Sequence, residues 1–187
     1  MSNSALFDDW HPVMLSQDLK EGIVESRRLL GEDLVLWRHQ NQITVCLDLC
    51  PHRGAKLSVG RVEDGCLVCP YHGLKFNQQG KCLKIPAAPN LAPPTRTYLH
   101  TYIAQEHYGL VWVCIGNAEQ SIPPFGEWYE QSYHPVFCGP YHCKSRAFRA
   151  VENFLDVAHF TFVHATLLGD PTNLTIDDYV VNIGGVG

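Results

Sequence analysis

Two short runs of metal-binding residues lie close together: Cys50-Pro51-His52 and Cys69-Pro70-Tyr71-His72, with sixteen residues between His52 and Cys69. Each run offers one thiolate and one imidazole. A glycine follows each closely, Gly54 and Gly73, where the backbone can turn tightly and bring amide N–H groups up to a sulfur. Four such residues in two pairs are read first as a zinc site, but zinc spacings usually place two cysteines together in one pair. Mixed pairs suit two sulfide-bridged irons, one held by two thiolates and the other by two imidazoles. A zinc ribbon and four unrelated core residues remain open alternatives at this point.

A second constellation lies further on, in Val151–His164, VENFLDVAHFTFVH. Its apolar residues suit a buried helix. Asn153, Asp156 and His159 are three apart and share a helix face. His159 and His164 are five apart, about 140° around an ideal helix. They can share one metal only if the helix bends or bulges between them. Two imidazoles and a carboxylate are the ligands of a non-haem Fe(II) oxygenase site. Taken alone, the two histidines read more readily as satisfied core residues than as ligands.

The pattern C-x-H-x16-C-x-x-H resembles the Rieske family. Respiratory Rieske proteins carry an extra cysteine in each pair, and those two form a disulfide. Ala55 and Tyr71 stand at the matching positions here, so that bridge cannot form. Leu74 and Phe76 stand where those proteins place a serine and a tyrosine hydroxyl beside the cluster. Fewer donors to sulfur lower the potential, so the resemblance is to the low-potential, oxygenase-type centre. The run E-N-x-x-D-x-x-H-x4-H after it resembles the mononuclear-iron segment of Rieske non-haem iron oxygenase alpha subunits. The aromatic O-demethylase and pheophorbide-oxygenase-like branches are the most similar, and the likeness runs from about Trp10 to the end.

The resemblance implies that Cys50, His52, Cys69 and His72 hold a [2Fe–2S] cluster, and that His159 and His164 bind a mononuclear Fe(II). Asp156 is then the electron-transfer bridge to His72 of a neighbouring copy, with Asn153 as an auxiliary residue. The family's third ligand is an aspartate far downstream. Asp170, Asp177 and Asp178 are the nearby carboxylates, and turn or surface roles suit each of them better. The chain is therefore expected to lack the C-terminal part, and to carry electrons without oxygenating. The implied activity is O₂-dependent hydroxylation or demethylation of an aromatic or other cyclic substrate. In demethylases a hydroxylated methyl leaves as formaldehyde. The implied partners are an NAD(P)H-dependent reductase, through a ferredoxin in some systems, and two further copies in a homotrimer at full length. No G-x-G-x-x-G follows a strand, so the reductase is a separate protein. The alternative is a Rieske ferredoxin-like electron carrier with a vestigial or truncated catalytic domain.

Composition sets limits on these readings. With 187 residues, 45% of them hydrophobic, the chain can bury a real core. A net charge of −5 argues against nucleic acid or an anionic membrane as partner. The N-terminus has no leader pattern, and no apolar run approaches the ~20 residues of a membrane helix. Eight cysteines are then mostly free thiols, as expected for a cytoplasmic, reducing compartment.

The elements that must position the donors read as follows. Short apolar strands with turns about every ten residues predict an all-β domain of small antiparallel sheets. Turns are expected at Gly31-Glu32, Asn41-Gln42, Glu63-Asp64-Gly65, Gln78-Gln79-Gly80 and Glu106–Gly109. TYLHTYIAQ is expected to be a strand throughout. The domain expectation is a Rieske domain over 10–116, a proline- and aromatic-rich connection over 117–140, and part of a catalytic domain over 141–187. Phe125, Trp128 and Tyr129 should pack on one of the two domains, and Tyr141–Ala150 should be a strand entering the second. The fold class is α+β: an all-β Rieske domain, then the beginning of a helix-grip-like domain.

Overall fold

Four tight turns set the register of the strands, because in each of them both central residues have positive φ. They are Leu30-Gly31, Gln40-Asn41, Asp64-Gly65 and Tyr108-Gly109. Two-residue turns of this kind match the right-handed twist of the strands they join. The computed structural model describes residues 4–176, 178 and 180; Asp177 lies outside them. The chain divides into two compact units, Met1–Cys138 and Gly139–Gly187.

The first unit is β throughout apart from short turns of helix, α1 (Ser4–Phe7) among them. Its strands are β1 (His11–Leu15), β2 (Val24–Leu29), β3 (Glu32–His39), β4 (Gln42–Leu47), β5 (Arg61–Glu63), β6 (Cys66–Val68), β7 (Lys75–Phe76), β8 (Cys82–Lys84), β9 (Thr101–His107) and β10 (Leu110–Cys114). They form a six-stranded sheet in the order β1-β10-β9-β4-β3-β2 and a four-stranded sheet β5-β6-β7-β8. All the ladders are antiparallel.

Strand β3 explains how the two sheets share a core. Its run Leu34-Val35-Leu36-Trp37 is fully buried, as expected of a strand covered on both faces. Leu34 and Leu36 join Met14, Leu19, Val45, Val111 and Val113. Val35 and Trp37, on the opposite face, join Cys46, Cys50, Leu67, Cys69, Leu74 and Phe76. The second core therefore contains both cysteines of the metal-binding runs. The Trp37 indole N–H donates to the Gly65 carbonyl at 3.3 Å and ties the β5–β6 hairpin to β3. Gly65 has φ +75°, and the His39 ring occupies the space a Cβ would need.

Two turns fall one residue earlier than the sequence suggests. Leu29 pairs with Glu32 and His39 with Gln42, so Glu32 and Gln42 already belong to strands. TYLH precedes β9 rather than forming part of it. There Leu99 N–H bonds to the Gly80 carbonyl and Thr97 accepts from Cys82 N–H, which spends the backbone on the other sheet.

The aromatics after β10 pack on the first unit. Tyr108 meets the rings of Phe125, Trp128 and Tyr129 at 5.8, 5.8 and 6.1 Å. Its hydroxyl also accepts from Phe125 N–H at 2.7 Å.

The second unit differs from expectation in two ways. Tyr141–Ala150 is not a strand: the chain is irregular to Arg146 and then enters α2 (Ala147–Leu155). The 3.6-residue spacing of Ala147, Ala150, Val151 and Phe154 outweighs the polar–apolar pattern before it. Val151–His164 is not one buried helix either. It is the end of α2, a break, and α3 (Phe160–Val163). Phe154 is 84% exposed and Leu155 77%, because no described element of the unit covers that face.

Candidate metal centres

The two Cys–His runs are the same loop built twice. Cys50 N–H donates to the Ala55 carbonyl at 2.8 Å, and Gly54 N–H to the Cys50 carbonyl at 2.9 Å. In the second loop Cys69 N–H donates to Leu74 at 2.9 Å and Gly73 N–H to Cys69 at 3.0 Å. Each loop closes through a glycine at φ near +70° (Gly54 +69°, Gly73 +71°). A residue with a Cβ pays about 1–2 kcal/mol for that backbone. The first loop leaves β4 and the second joins β6 to β7, so both sheets position them. Asp48, buried at the end of β4, accepts Ser58 N–H at 2.7 Å and Ser58 Oγ–H at 2.6 Å. That pair of bonds anchors the far side of the first loop.

The loops separate their donors by chemistry. Cys50 and Cys69 are buried, 2% and 1% exposed, whereas His52 and His72 lie at the surface. The imidazoles stand side by side, ring centres 4.6 Å apart at 62°, and Tyr71 stacks on His72 at 4.0 Å. Burial pushes the Cys50 thiol up, the His52 N–H pulls against this, and the neighbouring Cys69 thiol raises it further. The sulfur is thus held in an apolar wall with a backbone donor aimed at it. Leu74 and Phe76 are buried in the same cluster and offer no hydroxyl.

A pair of irons fits this donor set, with sulfurs inside and imidazoles outside, two ligands to each iron. Among the described residues no three or more His, Cys, Asp or Glu side chains converge on one point. All eight cysteines are free.

In the second unit α3 carries a histidine at each end, His159 and His164. Asp156 ends α2 with extended backbone, φ −80° and ψ 113°, and its Oδ1 accepts Ala158 N–H at 2.8 Å. His159 then precedes α3 and His164 follows it. Their ring centres are 5.3 Å apart. Asp156 Oδ2 lies 3.2 Å from His159 Nδ1. The angle is too poor for a hydrogen bond, and Nδ1 is buried without another partner. The Ala158 N–H, then His159, hold the Asp156 carboxyl below its ordinary range.

Of the other expected residues, Asn153 is exposed on α2. Asp170 accepts Thr172 N–H at 2.8 Å and Thr172 Oγ1–H at 2.7 Å, and the Thr172 hydroxyl and N–H keep its carboxyl low. Asp178 is exposed. Asp48, Tyr71 and Gly169 were not singled out from sequence for what they do here. Gly169 lies directly against the Phe160 backbone, leaving no room for a Cβ. An aspartate within the apolar run ITVCLDL was the one available sign of the Asp48 brace.

Residues 9–102 match the Rieske [2Fe-2S] domain family. The chain belongs to that family. It is 34% identical over 171 residues to methylxanthine N1-demethylase NdmA of Pseudomonas putida, covering 88% of this chain and 49% of the relative. It is 37% identical over 145 residues to the vanillate O-demethylase oxygenase subunit of Pseudomonas sp. (strain ATCC 19151), covering 75% and 43%. The solved structure of Pseudomonas putida CBB5 NdmA with caffeine superposes with a TM-score of 0.85 at 33% identity, over 92% of this chain and 52% of that one. The chain thus spans about half the length of the curated relatives it matches, and these relatives are Rieske oxygenase components and demethylases. The likeness extends past the Rieske match into the second unit. No described helix is long and apolar enough to cross a membrane.

Proposed function

We propose that the chain is the electron-accepting and iron-binding part of a Rieske oxygenase that hydroxylates or demethylates a cyclic, methyl-bearing substrate. Cys50, Cys69, His52 and His72 would hold the [2Fe–2S] cluster, and His159 and His164 the mononuclear Fe(II). When bound, the cluster supplies single electrons and the Fe(II) supplies the centre for O₂ chemistry. The chain's own residues do the rest. Leu57, Leu67 and Phe76 exclude water from the sulfurs. His52 and His72 form the surface edge through which electrons pass. Asp156 lies against His159 Nδ1 and leaves Nε2 for the metal; a hydrogen bond between the two would complete the usual carboxylate–histidine–metal arrangement. Its ionised state lets it meet His72 of a neighbouring copy.

The observation that carries this reading is the approach of the His159 and His164 rings to 5.3 Å across α3, with the Asp156 carboxylate 3.2 Å from His159 Nδ1. Anaerobic titration of cluster-loaded protein with Fe(II) tests it. One additional iron should bind, and His159→Ala or His164→Ala should abolish that binding without altering the cluster absorbance. Equal Fe(II) uptake by wild type and both variants would overturn the assignment.

A second reading, an electron carrier that does not oxygenate, is favoured by one observation. No described carboxylate completes a three-ligand group with His159 and His164. Reductant-driven O₂ uptake coupled to product formation separates the two readings.

A further inference from the structure

Among the described residues Asp48 is the only buried carboxylate, 5% exposed, and it has no ion-pair partner among them. A carboxylate is seldom buried without a cation, because leaving water costs the charged form most. Its oxygens accept from Ser58 instead, Oδ1 from the N–H at 2.7 Å and Oδ2 from the hydroxyl at 2.6 Å. A polar pocket of about 220 Å³ beside it is lined by Arg27, Arg28 and Lys56, but each of these cations is answered elsewhere. Arg27 pairs with Glu25 at 3.0 Å. Arg28 and Lys56 lie against the Asp33 carboxylate at 3.4 and 3.7 Å, and both are mostly exposed.

The bonds between Asp48 and Ser58 close the chain around the first Cys–His loop. Between them lie Cys50 and His52, half of the cluster donors, and Leu57, fully buried in the same core as Cys50. The backbone at position 48 is held independently, by its N–H donating to the Asp33 carbonyl at 2.8 Å. A threonine or asparagine side chain at 48 could accept from Ser58 as well, so the clasp alone does not call for a charge. What only a carboxylate supplies is a fixed negative charge, two residues before a cluster ligand and out of water. There a charge acts more strongly, and is screened less by salt, than it would at the surface.

We propose that Asp48 is a positioning residue whose buried charge holds the potential of the cluster down. The inference rests on the cluster reading above and adds a residue that acts on the cluster through the first loop. On reduction an electron from the reductase turns one ferric iron ferrous, and no bond is made or broken. That electron enters against the field of the Asp48 carboxylate, which therefore favours the oxidised form. Ser58 fixes the carboxylate in place by donating to both of its oxygens.

Redox titration of cluster-loaded protein, followed by EPR, tests the proposal. Asp48→Asn and Asp48→Thr are neutral and can still accept from Ser58, and both should raise the midpoint potential. The rise should persist at 1 M salt, where the field of an exposed charge is screened over about 3 Å. Asp48→Glu keeps the charge and should titrate near wild type. Ser58→Ala should lose iron to a chelator faster than wild type with little change in midpoint, which separates the clasp from the charge. Midpoints of both neutral variants at or below wild type would overturn the proposal. So would an equal rise in Asp48→Glu, since geometry rather than charge would then set the potential. Loss of the cluster from both neutral variants would overturn it too, leaving Asp48 a brace and nothing more. A wild-type protein that takes up no [2Fe–2S] cluster would remove the proposed function instead.

Discussion

At the scale of single residues, the first centre keeps its anionic donors inside and its imidazoles outside. Leu74 and Phe76 wall the sulfurs without donating to them, so the midpoint potential should be negative. Redox titration followed by EPR checks this, and Leu74→Ser should raise the potential. A value of about +300 mV, the top of the Rieske range, would oppose it. The four donors were legible in the sequence because they are close in the chain and their spacing is the signal. The Asp48 brace and the Tyr71 stack were not, because a lone Asp or Tyr beside a loop reads as turn or surface. Burial also leaves a mark unrelated to metal. It raises the Cys46 thiol to about 12 and Tyr102 to about 12. Both groups are neutral below their ordinary values and then ionise first in the unfolded chain. Their contribution to stability should therefore be constant up to about pH 9 and fall as pH rises toward 12, by at most about 1.4 kcal/mol per unit for each group. Thermal melts across this range measure the fall, and Cys46→Val should lessen it.

At the scale of elements, the two loops share a backbone but not their surroundings. Gly54 has only Leu49 Cδ1 at 3.6 Å from a built Cβ, whereas Gly73 has Pro86 Cγ at 3.1 Å. Gly54→Ala should cost about 1–2 kcal/mol from the left-handed backbone alone. Gly73→Ala should cost more, since the proline ring must also shift. Urea unfolding of the two variants measures the difference, and equal losses would contradict it. In the second unit, Gly169→Ala would press on the Phe160 backbone between the two histidines. It should cost about 1–3 kcal/mol and weaken Fe(II) uptake while sparing the cluster absorbance. The strands were readable from alternation and turn residues. The one-residue slips arose because Leu30 and Gln40, poor turn formers by type, take positive φ. The break at Asp156 was not readable, since apolar periodicity runs through it. What ends the helix is a local bond from Ala158 N–H to the Asp156 carboxylate, and periodicity does not register such a bond.

At the scale of the whole molecule, the two units carry different parts of one proposed electron route. The first buries its donors in a core shared by two sheets. The second presents its histidines on short helices with exposed aromatic faces. Two imidazoles without a third described ligand hold Fe(II) weakly, so the dialysed 187-residue protein should keep about two irons per chain, both in the cluster. Iron and acid-labile sulfide analysis counts them, and a retained third iron would contradict the donor count. The central claim is the mixed Cys₂His₂ cluster, and pulsed EPR of the dithionite-reduced protein tests it most directly. The expected spectrum shows two imidazole nitrogens coupled to the cluster, one of them lost in His52→Cys and one in His72→Cys. A paramagnet with no nitrogen coupling, or a colourless protein containing zinc, would contradict it.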